Sequence, residues 1–227
     1  MMIKTLKYLL LTAICFFVSC DSMTNGGKAH EGVIHYEIKY VKNKTNVPTF
    51  VLPRIMVMKF NKNYAKTSID AFGFSLSYIY DLRRNRNITL LQVLEHKFYY
   101  EGEKHEYPCA FDELAGMIIH PLEDTANVHG LSCKRCFATF PAGKHDTINI
   151  LYTESFHIKE PNRTNPYKDV NGVLVQFNVP ISKLEMQFKA KTVKYQEVPS
   201  DEFEVPEDYR AIPRDKMILY IKELLDK

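Results

Sequence analysis

The chain has 227 residues, a formal net charge of +3, 45% hydrophobic and 25% charged residues, and no tryptophan. That balance is ordinary for a globular protein and leaves no strongly basic face, which excludes nucleic acid as an expected partner. The length suits one domain with a real core, and the 14 Tyr and 14 Phe suit a sheet-rich fold.

Lys4 and Lys7 precede a nearly all-apolar run, Tyr8 to Val18, which ends in Phe17-Val18-Ser19-Cys20 before polar Asp21-Ser22. This three-part pattern predicts a secretory signal peptide over residues 1–19, because the run is too short to span a bilayer. Its end resembles a bacterial lipoprotein box, with small Ser19 before the cysteine and Phe17 where the pattern usually has Leu. Cys20 is then the acceptor of a diacylglyceryl group and, after cleavage, of a third acyl chain; two or more chains anchor stably. Bulky Ile14 disqualifies Cys15 as a rival. Residues 20–31, with Asn25-Gly26-Gly27-Lys28, read as a flexible tether, and residues 32–227 as the domain. The expected address is the cell envelope, lipid-anchored, at the outer membrane.

From Gly32 onward the chain alternates with period two. Ile34, Tyr36, Ile38 and Tyr40 share one face, as do Met56, Met58 and Phe60, and then Phe74, Leu76, Tyr78 and Tyr80. Asn61-Lys62-Asn63 reads as a tight turn, and 88–94 with 97–100 as a further hairpin. Phe111 to Met117 predicts a short turn or helix ended by Pro121. A Gly turn at Gly130 feeds a strand through Phe140, and 147–153 is β-rich. Val173, Val175, Phe177 and Val179 alternate, as do Leu184, Met186, Phe188 and Ala190. Pro213 opens an amphipathic helix with Met217, Ile218, Ile221, Leu224 and Leu225 on its apolar side. About ten strands without a βαβ rhythm predict a mainly β fold with minor α. The expected architecture is a single curved antiparallel sheet, a half-barrel, with one or two helices on its concave side, the C-terminal helix among them.

Four segments appear in order: Asn127-Val128-His129-Gly130-Leu131-Ser132-Cys133-Lys134-Arg135-Cys136, Ile150-Leu151-Tyr152-Thr153-Glu154, Asn171-Gly172-Val173-Leu174-Val175, and Phe203-Glu204-Val205-Pro206-Glu207-Asp208-Tyr209. Together they resemble uncharacterised lipoproteins of Bacteroidota related to the group named for a Gly-Leu-Pro-Gly-Leu-Ile motif. Val170-Asn171-Gly172-Val173-Leu174 stands where that motif would be. The resemblance implies a LolA/LolB-like curved sheet, whose carriers hold acyl chains in an apolar concavity. Likeness of fold does not itself transfer function.

The chemistry-bearing motifs are few. Cys133-Lys134-Arg135-Cys136 has Phe137 where haem attachment needs His, and only His129 lies near as a further zinc ligand. On a regular strand Cys136 would join Ala138 and Phe140, and Cys133 would join Phe137. With Cys20 acylated, Cys109, Cys133 and Cys136 remain, an odd number that no disulfide scaffold would use. The eight histidines are scattered, and no P-loop, Gly-x-Ser-x-Gly elbow or paired carboxylates occur. No catalytic residue, metal ligand or cofactor is therefore assigned. Met56, Met58, Phe74, Leu76, Tyr78 and Tyr80 are the candidates for lining an apolar ligand cavity, Met for its adaptability and Tyr for a hydroxyl at a mouth. Against this stands the simpler expectation that they fill a core. The sequence thus points to a non-enzymatic, membrane-anchored binding module for a lipid or other apolar ligand. A structural or assembly subunit of an envelope complex is the alternative.

Overall fold

The computed structural model describes residues 30–141 and 146–226. The proposed signal peptide, Cys20 and most of the tether lie outside them. Twelve strands form one curved sheet: β1 Gly32–Asn43, β2 Ile55–Phe60, β3 Tyr64–Ala71, β4 Phe74–Asp81, β5 Arg86–Val93, β6 His96–Glu101, β7 Ile118–Val128, β8 Leu131–Thr139, β9 Ile148–Thr153, β10 Val173–Ile181, β11 Leu184–Tyr195 and β12 Arg210–Ala211. Their order is β12-β6-β5-β4-β3-β2-β1-β11-β10-β9-β8-β7. Two meanders therefore run outward from the central β1–β11 pair, and every pairing is antiparallel except β12 with β6. The mainly β, single-sheet architecture expected from the alternation is present.

Local chemistry sets the turns. The Asn61 side-chain carbonyl accepts the amides of Asn63 and Tyr64 at 2.9 Å, an Asx turn that joins β2 to β3. His129 and Gly130, both at positive φ (50° and 80°), make the two-residue turn between β7 and β8 whose twist matches the flanking strands.

Three segments cover the sheet. Residues 102–117 carry the chain from β6 to the far edge at β7, across the concave side. On the way they bury Cys109, Phe111 and Leu114, and the Glu113 carboxylate accepts the Ser182 amide at the β10–β11 turn. Residues 154–172 join neighbouring β9 and β10 yet fold inward. Phe156 packs edge-on against Phe60 at 5.0 Å, and Tyr167 packs against Phe177. The third segment, 196–212, crosses the convex side. There Val198 and Phe203 bury against Val33, Ile79 and Leu90 in a second, smaller core, with Phe203 stacked on Tyr64 at 5.4 Å.

That strap ends as β12 beside β6 and turns into helix α1, Arg214–Asp226. The Met217 amide donates to the Pro213 carbonyl, closing the first turn. Met217 and Ile221, four apart on one face, are fully buried in the concave core; each such burial stabilises by about 1.5–3 kcal/mol. Lys216, Lys222 and Glu223 face solvent. Arg214 fixes the start of the helix through Glu106 (2.7 Å) and Asp112 (2.8 Å).

Three expectations are corrected. Pro121 does not end a helix. Only Asp112–Leu114 turn as 3-10, and Pro121 lies within β7, which runs through residues read as non-strand. β7 is an edge strand, where proline's missing amide costs no ladder bond. Twelve strands form rather than about ten, the additions being β7 and β12. Cys133 does not share the outer face with Phe137. The β7–β8 pairing jumps from Pro121–Cys136 to Thr125–Lys134, a bulge that leaves Lys134 and Arg135 both outside and Cys133 and Cys136 both inside.

Candidate functional site

Under the cover, the concave face keeps a cavity of about 90 Å³. Its walls come from strands near the centre of the sheet. Met56 and Met58 rise from β2, and Phe74, Leu76, Tyr78 and Tyr80 from β4. The six candidate residues are thus brought onto one surface by the strand alternation, because β2, β3 and β4 pair in register: Met56 faces Ile69, and Ile69 faces Leu76. Across the central seam, Tyr36 and Tyr40 of β1, Phe177 and Val179 of β10, and Met186 and Phe188 of β11 complete the floor. The cover contributes Phe111, Asn162, Tyr167 and, from α1, Leu225.

Phe177 is the hub of the aromatic floor. It stacks on Phe188 at 5.0 Å and meets Tyr36 and Tyr167 edge-on at 5.9 and 5.6 Å. The tyrosine hydroxyls around the cavity are engaged by protein. Tyr36 donates to the Leu174 carbonyl (2.7 Å), Tyr40 to that of Pro53 (2.7 Å), Tyr78 to that of Cys109 (3.0 Å), and Tyr167 to that of Asn178. Tyr80 is hydrogen-bonded with Thr67. Burial pushes the Tyr36, Tyr78, Tyr80 and Tyr167 phenols far up, so they stay neutral. Tyr78 and Tyr80 therefore line the cavity with their hydroxyls already used.

Among the described residues no Asp, Glu, Lys, Arg or His lines the cavity. An apolar wall of this kind does not hold water well, although the space exceeds that of one water several-fold. It favours aliphatic or aromatic groups. It is smaller than the 300–1,000 Å³ typical of pockets that enclose a whole small ligand. A long ligand would have to leave through the mouth, or displace cover residues such as Leu225. The mouth lies at one pole of the half-barrel, where Leu52 and Pro53 of the β1–β2 loop, Phe74, Ile69 and Leu225 are only partly buried.

The remaining motifs do not converge on this site as chemistry. Cys109, Cys133 and Cys136 are free and buried. Burial pushes the Cys109 and Cys136 thiols up to about 11 and raises that of Cys133, the reverse of what a nucleophile or metal thiolate requires. Among the described residues no group of three or more His, Cys, Asp or Glu side chains is placed to hold a metal ion. No helix among them is long and apolar enough to cross a membrane.

Sequence reasoning named the β2 and β4 walls and missed the rest. Tyr36, Tyr40, Phe177, Met186 and Phe188 carried the same alternation, but nothing local ties β1, β10 and β11 to β4. Phe111 and Tyr167 sit on irregular segments with no period to detect.

No model of a known protein family matches the chain, and no curated protein sequence does. Among solved structures, PNGF-II in two crystal forms superposes with TM-scores of 0.55 and 0.52 over 87% and 86% of this chain, at 12% identity. The chain spans 33% and 32% of those molecules. The lipoprotein LppX of Mycobacterium tuberculosis aligns over 74% of this chain and 89% of its own at 11% identity, but with a TM-score of 0.33, too loose to argue from. At these identities the PNGF-II likeness is one of fold alone: this sheet architecture recurs within a larger molecule.

Proposed function

We propose that the protein is a lipid-anchored envelope module that holds a lipid or other apolar ligand in its concave face. The observation that carries this reading is the cavity. Its wall is predominantly apolar, with Thr67, Asn162 and Asn165 the polar residues beside the tyrosines, its tyrosine hydroxyls are consumed internally, and it is hollow where side chains could have filled it. A buried void left by evolution costs stability, since cavity surface forfeits dispersion contacts. Occupation by a ligand would recover them. The absence of charged groups in the wall favours binding over acid–base chemistry. Anchoring through Cys20 at the outer membrane, and kinship with the Bacteroidota lipoproteins and their LolA/LolB-like fold, rest on the sequence pattern and belong to the same proposal. Native mass spectrometry and organic extraction of the purified full chain test it. Co-purifying apolar species are expected. A ligand-free protein that takes up no apolar probe would refute it.

One observation favours the alternative, an assembly subunit. β7 is an edge strand whose outer side pairs with no other strand among the described residues, whereas β6 at the opposite end is shielded by β12 and α1. Crosslinking from β7 residues in intact envelopes would reveal a partner strand if that reading holds.

A further inference from the structure

The pole that carries the cavity mouth is also where the chain leaves large apolar side chains in solvent. Phe50 is 74% exposed, Val51 57%, Phe72 104% and Leu94 66%. Single exposed apolar residues are commonplace, but these four share one end of one sheet. The register shows it. Ala71 pairs with Phe74, Phe74 with Val93, and Val93 with His96, so the turns holding Phe72 and Leu94 stand side by side. The Leu94 amide donates to the Gly73 carbonyl at 2.7 Å. The β1–β2 loop bearing Phe50 and Val51 enters the same pole at Ile55, next to the Met56–Ile69 pair.

Charge accompanies the apolar tips. From Val41 to Ile55 the chain carries Lys42, Lys44 and Arg54 and no acid. Lys42 is engaged with Asp146 and Glu185, while Lys44, Arg54 and nearby Lys183 are exposed. Lys44 and Lys183 adjoin, the Lys44 amide donating to the Lys183 carbonyl at 3.0 Å. The acids of this pole are Asp70 and Glu95 on the β3–β6 side, Asp146 and Glu185, which are taken up by Lys42, and Glu113, which accepts the Ser182 amide. Aromatic tips that enter the interface, flanked by cations at headgroup level, are what an anionic bilayer surface binds.

We infer that this pole docks on an anionic lipid bilayer, with Phe50 and Phe72 inserted at the acyl boundary and Lys44, Arg54 and Lys183 at the headgroups. The cavity mouth, at Leu52, Pro53 and Phe74, then opens toward the membrane interior, and an acyl chain passes between them without crossing water. This deepens the ligand-binding proposal but is tested apart from it, since ligand uptake is measured without vesicles.

The absence of tryptophan from the chain makes the test direct. The full-length protein, carrying Cys20→Ser so that no acyl chain binds vesicles by itself, is prepared as Phe72→Trp and, at the opposite pole beside Gly32, as Tyr195→Trp. Each is mixed with vesicles of phosphatidylethanolamine and phosphatidylglycerol carrying brominated acyl chains, and with all-phosphatidylcholine vesicles carrying the same bromines. Emission of Phe72→Trp should fall at least twofold and shift to the blue with the anionic vesicles, and less with the zwitterionic ones. Emission of Tyr195→Trp should not fall. Lys44→Gln, Arg54→Gln and Lys183→Gln, each added to Phe72→Trp, should lower the docked-to-free ratio about fivefold. Three results would overturn the inference: no quenching of Phe72→Trp, equal quenching at both poles, or quenching indifferent to lipid charge. A blue shift that rises with protein concentration in the absence of vesicles would overturn it too, by marking a contact between copies of the chain.

Discussion

The Tyr36 hydroxyl donates to the Leu174 carbonyl at 2.7 Å, reaching from β1 over β11 to β10. The bond forms where the β9–β10 pairing slips between Leu174 and Gln176, so the bulge turns a backbone carbonyl inward and Tyr36 satisfies it. It ties the two meanders together beneath the cavity. Tyr36→Phe would leave that buried carbonyl unpaired at almost unchanged volume. Urea unfolding should show a loss of about 1–3 kcal/mol with the slope unchanged. A neutral substitution would mean the carbonyl finds water.

The helix closes the concave side through two side chains. Met217→Ala or Ile221→Ala should each cost about 2–5 kcal/mol, because both sites are fully buried. Leu219→Ala on the exposed face should fall within about 0.5 kcal/mol. Thermal unfolding of the three variants compares them. If Leu219→Ala were the most damaging, the helix would have to face the other way.

Buried thiols make the fold sensitive to alkali. Cys109 and Cys136 titrate near 11 in the folded chain, above their ordinary value, because burial disfavours the thiolate. A raised folded pKa means that the native state holds the proton more tightly. The stability it contributes is complete below the ordinary thiol pKa and is lost as pH rises toward about 11. Denaturant midpoints should therefore fall between about pH 9 and 11, and fall less steeply in Cys109→Ala. The buried tyrosines add to the same trend at the alkaline end. In the native protein at pH 8, Ellman's reagent should find Cys109, Cys133 and Cys136 silent; in denaturant all three should react, consistent with free thiols. Fewer reactive thiols in denaturant without reductant would reveal a disulfide.

Much of the fold was legible because period-two alternation is a local property. Ile34 to Tyr40, Phe74 to Tyr80 and Leu184 to Ala190 each declare a strand and its inward face unaided. The helix was equally plain, since Met217 and Ile221 recur at helical spacing after Pro213. β7 was hidden because Pro121, Glu123 and Asp124 suit an edge strand and mimic a loop. The inward turn of Cys133 was hidden because a bulge is fixed by the partner strand, not by the strand that bears the residue. Of the site, the β2 and β4 walls were readable. The aromatic floor around Phe177 depends on which strands become neighbours over more than a hundred residues of chain. The cover at Phe111 and Tyr167 depends on loops that satisfy no period at all.

The central claim is that the hollow beneath Met58, Leu76 and Tyr78 receives an apolar ligand. Its most direct test is titration of the full-length protein with the apolar dye 1-N-phenylnaphthylamine, in parallel with Met58→Trp, which fills the hollow with a larger apolar side chain. Any dye taken up by the acyl anchor is common to both proteins, so the difference between them reports the cavity. Saturable emission in the wild type, weakened about tenfold or more in Met58→Trp while its unfolding temperature stays within a few degrees, is the expected result. Equal binding by the two proteins, or no saturable component in either, would contradict it.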